Sequence, residues 1–296
     1  MRRIGWILAA ALFSSCGSDD STQNGPLQPL PPPGGQQLTT QPYTVNPGEE
    51  KYFCYTFHSP KDLQKAIVEV EPVYGSIIHH TALFQTITAE PEGFFECPVL
   101  VKTNWQPIWA GGRNTNGLKL PQGVGFVIDA NTQYLLQLHL LNAGSKPVTE
   151  RTAINLTYAD PTGITPAGIF AIGSFSLDIP AGANNFQQTK GCQADREMHV
   201  FAAFPHMHKL GKKLEFMKGP SQQNLAMQYM KDPWVFGDQP MDPVDITIMP
   251  GEYLQNTCTW DNPTNADVKF GESSNDEMCF FVLFYYPFTS LGGCGF

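Results

Sequence analysis

Short segments rich in branched and aromatic residues recur along this chain, and turn-forming residues separate them. Examples are KAIVEVEPVY, QYLLQLHLL and TAINLTY in the first half, and PVDITIMPG, EYLQNTCTW and MCFFVLFYYP in the second. Breaks at intervals of roughly ten residues suit strands joined by turns, and 27 glycines and 25 prolines supply many of them. No stretch predicts a helix longer than two turns. The sequence therefore predicts an all-β protein made of antiparallel sandwiches.

A break rich in proline and glycine, YADPTGITPAG at 158–168, separates two halves of similar length and texture. We expect a domain boundary there, because few strand residues cross it. The predicted organisation is a signal peptide at 1–16, a disordered tether at 17–41, an N-terminal sandwich at 42–160 and a C-terminal sandwich at 161–296.

The N-terminus, MRRIGWILAAALFSSC, has the pattern of an export signal. Arg2 and Arg3 precede an apolar run of ten residues, which is too short to span a membrane as a helix. Two serines then lead to Cys16, as in a bacterial lipobox, where the cysteine is acylated. Phe13 departs from that motif, so simple cleavage is the alternative. The lipobox predicts an exported lipoprotein of the bacterial cell envelope, anchored to a membrane by Cys16, and the polar segment after it suits a tether.

Charge excludes one class of partner. The formal net charge is −9, and removal of the signal takes away two arginines and makes it more negative. Without a basic surface to replace phosphate counterions, nucleic acid is not an expected partner.

Cysteine usage agrees with export. Apart from Cys16, the chain has six cysteines, at 54, 97, 192, 258, 279 and 294. An even number in an oxidising compartment implies up to three disulfides, and the sequence pattern alone leaves fifteen connectivities open.

Four of the seven histidines fall in two pairs. In FPHMHKLGKK, His206 and His208 would face the same side of a strand, about 6.6 Å apart, and could bind one metal. The alternative is two surface histidines beside lysines. In SIIHHTALF, His79 and His80 point to opposite faces unless the strand bulges or ends there, so one buried and one exposed histidine is the alternative. His139 in YLLQLHLLN is, taken alone, a hydrogen-bonded core residue.

The segment GESSNDEMCFFVLFYYP contributes a possible sulfur ligand. Alternation puts Met278, Phe280 and Val282 on one face of a strand and Cys279 on the other. A disulfide at Cys279 would support Met278 from behind, and ordinary core filling is the alternative. A thioether suits Cu(I) and is a poor zinc ligand. Combined with the HMH pair, Met278 would therefore indicate copper, whereas a site of the other three histidines suits copper or zinc.

Several motifs occur in a fixed order from KYFC at 51 to the C-terminal GGCGF. They are HH before an apolar run, LPQGVGF, QLH, MHVFA followed by HMH and LG, and DEMC followed by YY. In this order they resemble the copper type II, ascorbate-dependent monooxygenases, the family of peptidylglycine alpha-hydroxylating monooxygenase and dopamine beta-monooxygenase. The resemblance implies two tandem, jelly-roll-like antiparallel sandwiches that face a solvent-filled cleft, with one copper ion on each.

Residue roles follow from this resemblance. Ligands of an electron-transfer copper would be His79, His80 and His139, and ligands of an oxygen-binding, catalytic copper would be His206, His208 and Met278. The implied disulfides are Cys54–Cys97, Cys192–Cys294 and Cys258–Cys279. His58 and His199 have no ligand counterpart, and Gln137, on the same strand face as His139, receives no role.

The implied reaction hydroxylates a C–H bond of a small molecule with O2 and electrons from ascorbate or another one-electron donor. Peptide-hydroxylating members carry arginine where this chain has Phe204, and asparagine and tyrosine where it has Phe280 and Val282. A substrate carboxylate would find no partner in such a pocket. We therefore expect an apolar or aromatic substrate and poor turnover of glycine-extended peptides. Thr81 replaces a methionine of those relatives at a position that is not a ligand.

Two other functions remain open. A copper-binding envelope lipoprotein for storage or delivery would use the same six ligands. An adhesion or carbohydrate-binding sandwich would hold a structural metal or none. The full set of ligands in family order favours the enzyme, which we expect to be a monomer.

Overall fold

The structure is a computed structural model that describes residues 27–97, 102, 104–112, 115 and 117–295. The predicted export signal and Cys16 lie outside the described residues. Every regular secondary-structure element in the described part is a β-strand, so the all-β prediction is confirmed. That part of the chain contains no helix that could cross a membrane.

The first half folds into two sheets. Its strands are β1 (Gln36–Thr39), β2 (Tyr43–Val45), β3 (Glu50–His58), β4 (Lys65–Val73), β5 (Ile78–Thr86), β6 (Phe94–Glu96), β7 (Trp105–Gly112), β8 (Leu118–Lys119), β9 (Val124–Ile128), β10 (Gln133–Leu141), β11 (Val148–Glu150), β12 (Ala153–Ala159) and β13 (Thr165–Pro166). One sheet has the order β1-β12-β4-β9-β13, with β8 beside β4, and the other has the order β6-β3-β10-β5-β7. The small pair β2 and β11 lies apart from both.

Strand β10 shows how the first sandwich is built. Tyr134, Leu136 and Leu138 belong to the main hydrophobic core, together with residues of the facing sheet such as Ile154. Alternation sends the odd-numbered residues of β10 to the opposite face, where His139 lies. Because both faces of this central strand are buried, a histidine on it is held in a dry environment.

The second half repeats the sandwich arrangement. Its strands are β14 (Gly168–Gly173), β15 (Asp178–Ile179), β16 (Phe186–Gln193), β17 (Met198–His206), β18 (Gly211–Ser221), β19 (Asn224–Lys231), β20 (Asp242–Ile248), β21 (Tyr253–Trp260), β22 (Val268–Lys269), β23 (Phe280–Tyr286) and β24 (Gly292–Cys294). The two main sheets have the orders β20-β17-β23-β14-β24 and β16-β21-β18-β19, and β15 pairs with β22. Phe216, Trp260 and Phe281 are among the fully buried residues of the core between them.

The two halves share apolar contacts. Phe204 and Phe284 of the second half belong to the same hydrophobic cluster as the core of the first. They lie on β17 and β23, on the faces turned away from the core of the second sandwich. The same two strands carry the HMH motif and follow Met278, so this contact brings the predicted sites toward each other.

The crossover between the halves lies slightly later than the boundary predicted between 160 and 161. Strand β13 pairs in parallel with β9, through Thr165 and Val124, and therefore belongs to the first sandwich. The second sandwich begins with β14 at Gly168. A two-residue strand containing proline gives too little pattern to be recognised in the sequence.

The tether predicted for 17–41 is wrong in its last part. Strand β1 pairs with β12, with Leu38 opposite Ile154, and Leu38 is fully buried. The side-chain amide of Gln37 donates to Asn155 Oδ1 at 2.9 Å. A single leucine among glutamines and threonines carries little hydrophobic signal, and the pairing comes from a strand more than a hundred residues away.

The three disulfides implied by the family resemblance are present. Cys54 pairs with Cys97, Cys192 with Cys294 and Cys258 with Cys279. The first lies in the first sandwich and the other two lie in the second, so no disulfide links the halves in the described residues.

We expect Leu38→Ala to lower the free energy of unfolding by about 2–5 kcal/mol, because it removes a fully buried leucine side chain. Leu63→Ala is the matched control, since Leu63 is 63% exposed, and it should change stability by no more than about 0.5 kcal/mol. Urea denaturation followed by tryptophan fluorescence measures both. Equal stability of the two variants would show that β1 is not part of the sandwich.

Candidate metal centre

A β-bulge brings the adjacent histidines of β5 to one place. On β10, His139 pairs with His80, and the next residue, Leu140, pairs with Ile78. His79 is therefore the extra residue of a bulge and leaves the regular alternation of the strand. The strand thus has the bulge that the sequence required if His79 and His80 were both to reach one metal.

The three imidazoles of the first site converge through the same ring atom. The Nδ1 atoms of His79 and His139 lie 3.1 Å apart, and each lies within 3.2 Å of Nδ1 of His80. Nitrogen ligands about 2 Å from a shared transition-metal ion are expected roughly 3.3 Å from one another. The three Nδ1 atoms therefore have the spacing of a ligand set, and the three buried rings form a possible metal-binding group.

Residues of β3 hold His139 in place. Its Nε2 atom lies 2.6 Å from Glu50 Oε1, and the ring of Tyr52 stacks on it with centroids 4.1 Å apart. A proton on Nε2, donated to the carboxylate, leaves Nδ1 free to bind a metal. Burial opposes ionisation of Glu50, but bonds from His139 and Ser274 outweigh it and lower the pKa of that carboxyl to about 2.

The HMH motif supplies the second site. His206 is the last residue of β17 and His208 follows two residues later, with ring centroids 5.2 Å apart. Nδ1 of His206 lies 2.8 Å from Gln239 Oε1, and Nδ1 of His208 lies 3.0 Å from the carbonyl oxygen of Asp276. Both rings can therefore donate from Nδ1 and present Nε2 as the ligand atom. Nε2 of His208 is buried without a hydrogen-bond partner among the described atoms.

Met278 lies beside this pair in the fold. Strands β17 and β23 are antiparallel, and their last pair is His206 with Phe280. Continuing the register by two residues places Met278 across from His208. Met278 is fully buried, as a ligand or a core residue would be. Its sulfur as a copper ligand remains a prediction of the family resemblance.

A buried glutamate fixes the chain around the second site. Glu277 accepts hydrogen bonds from the backbone N–H groups of His208 and Leu210, at 3.0 and 2.6 Å, and from Nε1 of Trp260 at 2.9 Å. Burial raises the pKa of Glu277 to about 7 against the opposing effect of these bonds. Since Glu277 directly precedes Met278, it ties the methionine segment to the HMH segment.

The histidines of the centre are neutral. Burial is the main cause, and it lowers the pKa of His79 to about 2, of His206 to about 3 and of His208 to about 4. Burial also lowers the pKa values of His80 and His139. Neutral imidazole is the form that binds metal, so the five rings are ready to act as ligands.

The two histidine sets adjoin each other. Ring centroids of His80 and His206 are 5.5 Å apart, and those of His79 and His208 are 6.3 Å apart. The solvent-filled cleft that the family resemblance implies stays a prediction, and in this structure the rings of the two ligand sets are neighbours.

A cavity of about 330 Å³ opens beside both sets. The residues that line it are His80, Ala82, Phe84, Pro107, Trp109, Ala110, Ile169, Ala171, Phe175, Phe204, His206, Phe280 and Val282. Apart from one histidine of each set, the lining is apolar. It includes Phe204, Phe280 and Val282, the three residues predicted from the sequence to form the substrate pocket.

Other residues singled out in the sequence have structural roles. His58 lies 3.1 Å from Glu92, and His199 lies 2.9 Å from Glu197, both outside the centre as expected. Gln137 is fully buried, and its amide nitrogen lies 4.0 Å from Cys97 Sγ.

Thr81 bonds to the hydroxyl of Tyr74 at 2.7 Å, which agrees with a role outside the ligand set. No sequence pattern predicted a role for Glu50, Gln239 or Glu277. Of these, only Glu277 had a visible signal, as part of the DEMC motif.

The buried, convergent histidines of this all-β protein could hold a metal ion, and comparisons with known proteins bear on its class. Residues 165–295 match the C-terminal domain of the copper type II ascorbate-dependent monooxygenases. Peptidyl-glycine alpha-amidating monooxygenase A of Xenopus laevis is 25% identical over 288 residues, which cover 88% of this chain and 29% of that protein. DBH-like monooxygenase protein 1 of Homo sapiens is 26% identical over 302 residues, which cover 87% of this chain and 48% of that protein.

These matches confirm the resemblance to the copper type II ascorbate-dependent monooxygenases seen in the motifs: the family model matches residues 165–295, and the relatives align with most of the chain. The chain spans less than half the length of these curated relatives. The major capsid protein P2 of bacteriophage PM2 is a solved structure that covers 86% of this chain and 98% of its own, with 10% identity and a TM-score of 0.33. That likeness is too weak to bear on function.

We expect His79→Ala and His208→Ala each to remove about half of the copper bound by the wild-type protein, because each breaks a different ligand set. His199→Ala is the control, since it removes an imidazole outside the centre. The measurement is elemental analysis after loading with copper and desalting. Loss of all copper in both variants, or of none, would contradict two separate ligand sets.

Proposed function

We propose that this protein is a copper-dependent monooxygenase that hydroxylates a C–H bond of a small, apolar or aromatic molecule. O2 is the oxidant, and ascorbate or a similar one-electron donor supplies the electrons. The observation that carries the proposal is the apolar cavity, which touches one histidine of each ligand set.

The donor atoms fit copper. His79, His80 and His139 would hold one ion through Nδ1, and His206, His208 and Met278 would hold the other through two Nε2 atoms and a thioether. When bound, copper supplies the one-electron steps and the activation of O2. A methionine ligand suits Cu(I), which supports the second set as the oxygen-binding one. Gln239 and the Asp276 carbonyl orient the rings of that set by holding Nδ1.

The cavity selects by desolvation. An aromatic ring that loses about 150 Å² of apolar surface in it gains about 4 kcal/mol. A carboxylate would lose its water and find no cation among the lining residues, at a cost of several kcal/mol. The walls from Phe204, Phe280 and Val282 also keep bulk water away from the reacting C–H bond. These magnitudes favour neutral, apolar substrates over glycine-extended peptides.

Copper storage or delivery is the competing function, because it would use the same ligands. The cavity argues against it, since a storage site needs no apolar space beside the two ligand sets. The kinetic difference is decisive: a storage protein binds copper but consumes no O2 with ascorbate and a substrate.

We also propose export to an oxidising compartment and attachment to a membrane through Cys16. The export proposal is supported by the signal pattern at 1–16 and by three disulfides in the described residues, because disulfides persist in such compartments.

Ascorbate-dependent O2 uptake and product analysis test the reaction with a matched pair of substrates, 4-ethyltoluene and 4-ethylbenzoate. Both carry a para-ethyl group, so hydroxylation is compared at its benzylic CH2, and only the second compound carries a carboxylate. We expect kcat/KM to be about 100-fold higher for the neutral compound, because an unpaired carboxylate costs about 3 kcal/mol in the cavity. His206→Ala should abolish uptake with either compound.

Two results would contradict the proposal. Equal turnover of the pair, or rapid hydroxylation of a glycine-extended peptide, would show that the cavity does not select against carboxylates. Full copper loading without O2 uptake across a panel of amines, aromatics and acyl compounds would favour storage.

A further inference from the structure

Two residues of β3 contact His139 from the same strand face. Tyr52 lies directly opposite His139 in the ladder, and Glu50 lies two residues before Tyr52, on the same side of the strand. The Tyr52 ring stacks on the imidazole at 4.1 Å, and Glu50 Oε1 lies 2.6 Å from its Nε2. Together they determine the tilt of the ring and the nitrogen that carries its proton.

The same two residues also contact the other half of the protein. They reach residues 272–276, which we call the linking loop. The backbone N–H of Ser274 donates to Glu50 Oε1 at 2.8 Å, and the hydroxyl of Tyr52 donates to the carbonyl oxygen of Glu272. One carboxylate oxygen, Glu50 Oε1, thus accepts hydrogen bonds from both halves of the molecule.

The far end of the linking loop carries the second ligand set. The carbonyl oxygen of Asp276 lies 3.0 Å from Nδ1 of His208. Glu277 follows and binds the backbone of His208 and Leu210, and Met278 comes next. A continuous series of contacts therefore joins His139 to His208 through Glu50, Tyr52 and the linking loop.

We propose that Glu50 and Tyr52 are positioning residues that couple the two metal sites. Copper bound by Nδ1 of His139 fixes the ring, and the ring fixes Glu50 and Tyr52 against the linking loop. The ordered loop then holds His208 and Met278 in their binding positions, so an occupied first site raises the copper affinity of the second. This inference rests on the proposed assignment of both ligand sets to copper.

Adjacency of contacts does not by itself demonstrate coupling, which requires a double-mutant cycle. The cycle measures the Cu(I) affinity of the second site by competition with a chromogenic chelator. Its four proteins are the wild type, His79→Ala, Glu50→Ala and the double variant. We expect His79→Ala to weaken the second site about tenfold in the wild-type background, within the range found for residues that orient metal ligands. In the Glu50→Ala background, His79→Ala should not lower the Cu(I) affinity of the second site any further.

Two further variants separate the contacts. Tyr52→Phe keeps the stacked ring and loses the bond to Glu272. It should weaken the second site while leaving the Cu(II) EPR spectrum of the first unchanged. Glu50→Gln retains an oxygen at the Oε1 position for both His139 and Ser274, so it should keep the coupling. Both remain informative if Glu50→Ala fails to fold. Glu197→Ala is the control, because it breaks a similar carboxylate–imidazole pair with His199 outside the centre.

The outcomes are distinguishable. If His79→Ala and Glu50→Ala lower the Cu(I) affinity of the second site additively, the coupling is overturned and the monooxygenase proposal still stands. An unchanged second site in Tyr52→Phe would likewise overturn it. Failure of the wild type to bind copper at either set would reject the proposed function itself.

Discussion

The bulge at His79 is the constraint on which the metal centre depends. A regular strand would point His79 and His80 to opposite faces of the sheet, and only one of them could then meet His139. The extra residue rotates His79 out of alternation and lets three Nδ1 atoms converge. Burial keeps these rings neutral. The first ligand set is therefore a product of one local irregularity in the pairing of two largely buried strands.

The second ligand set arises by a different route, from the ends of paired strands. His206 closes β17, and Phe280 opens β23 opposite it, so the residues just beyond the ladder come from two chain segments that are already aligned. Glu277 accepts three hydrogen bonds there. These bonds connect the two segments beyond the point where the strand pairing ends. The outer faces of the same strands supply the apolar wall that meets the first sandwich. Packing between the halves and formation of the cavity thus depend on the same side chains.

Much of this could be predicted from the sequence, because periodicity and motif order are local signals. The strand-rich texture, the ligand candidates and the pocket residues Phe204, Phe280 and Val282 all lie in short, recognisable segments. The missed features depend on contacts between distant segments. Strand β1 takes its partner from β12, and Glu50 gains its role from a histidine and a serine that are far away in the chain. The closeness of the two ligand sets also depends on packing between the halves, which no local pattern encodes.

The disulfide between Cys258 and Cys279 lies directly behind the methionine segment, and Asn256 donates to Cys279 Sγ at 3.2 Å. It sits in the core of the second sandwich, where opening it would loosen the residue next to Met278. The proposed oxygenase would therefore need electrons in a form that spares this bond. A one-electron donor such as ascorbate meets that requirement, and burial of both cysteines keeps thiol reductants, which cleave disulfides by exchange at an accessible sulfur, away from this bond.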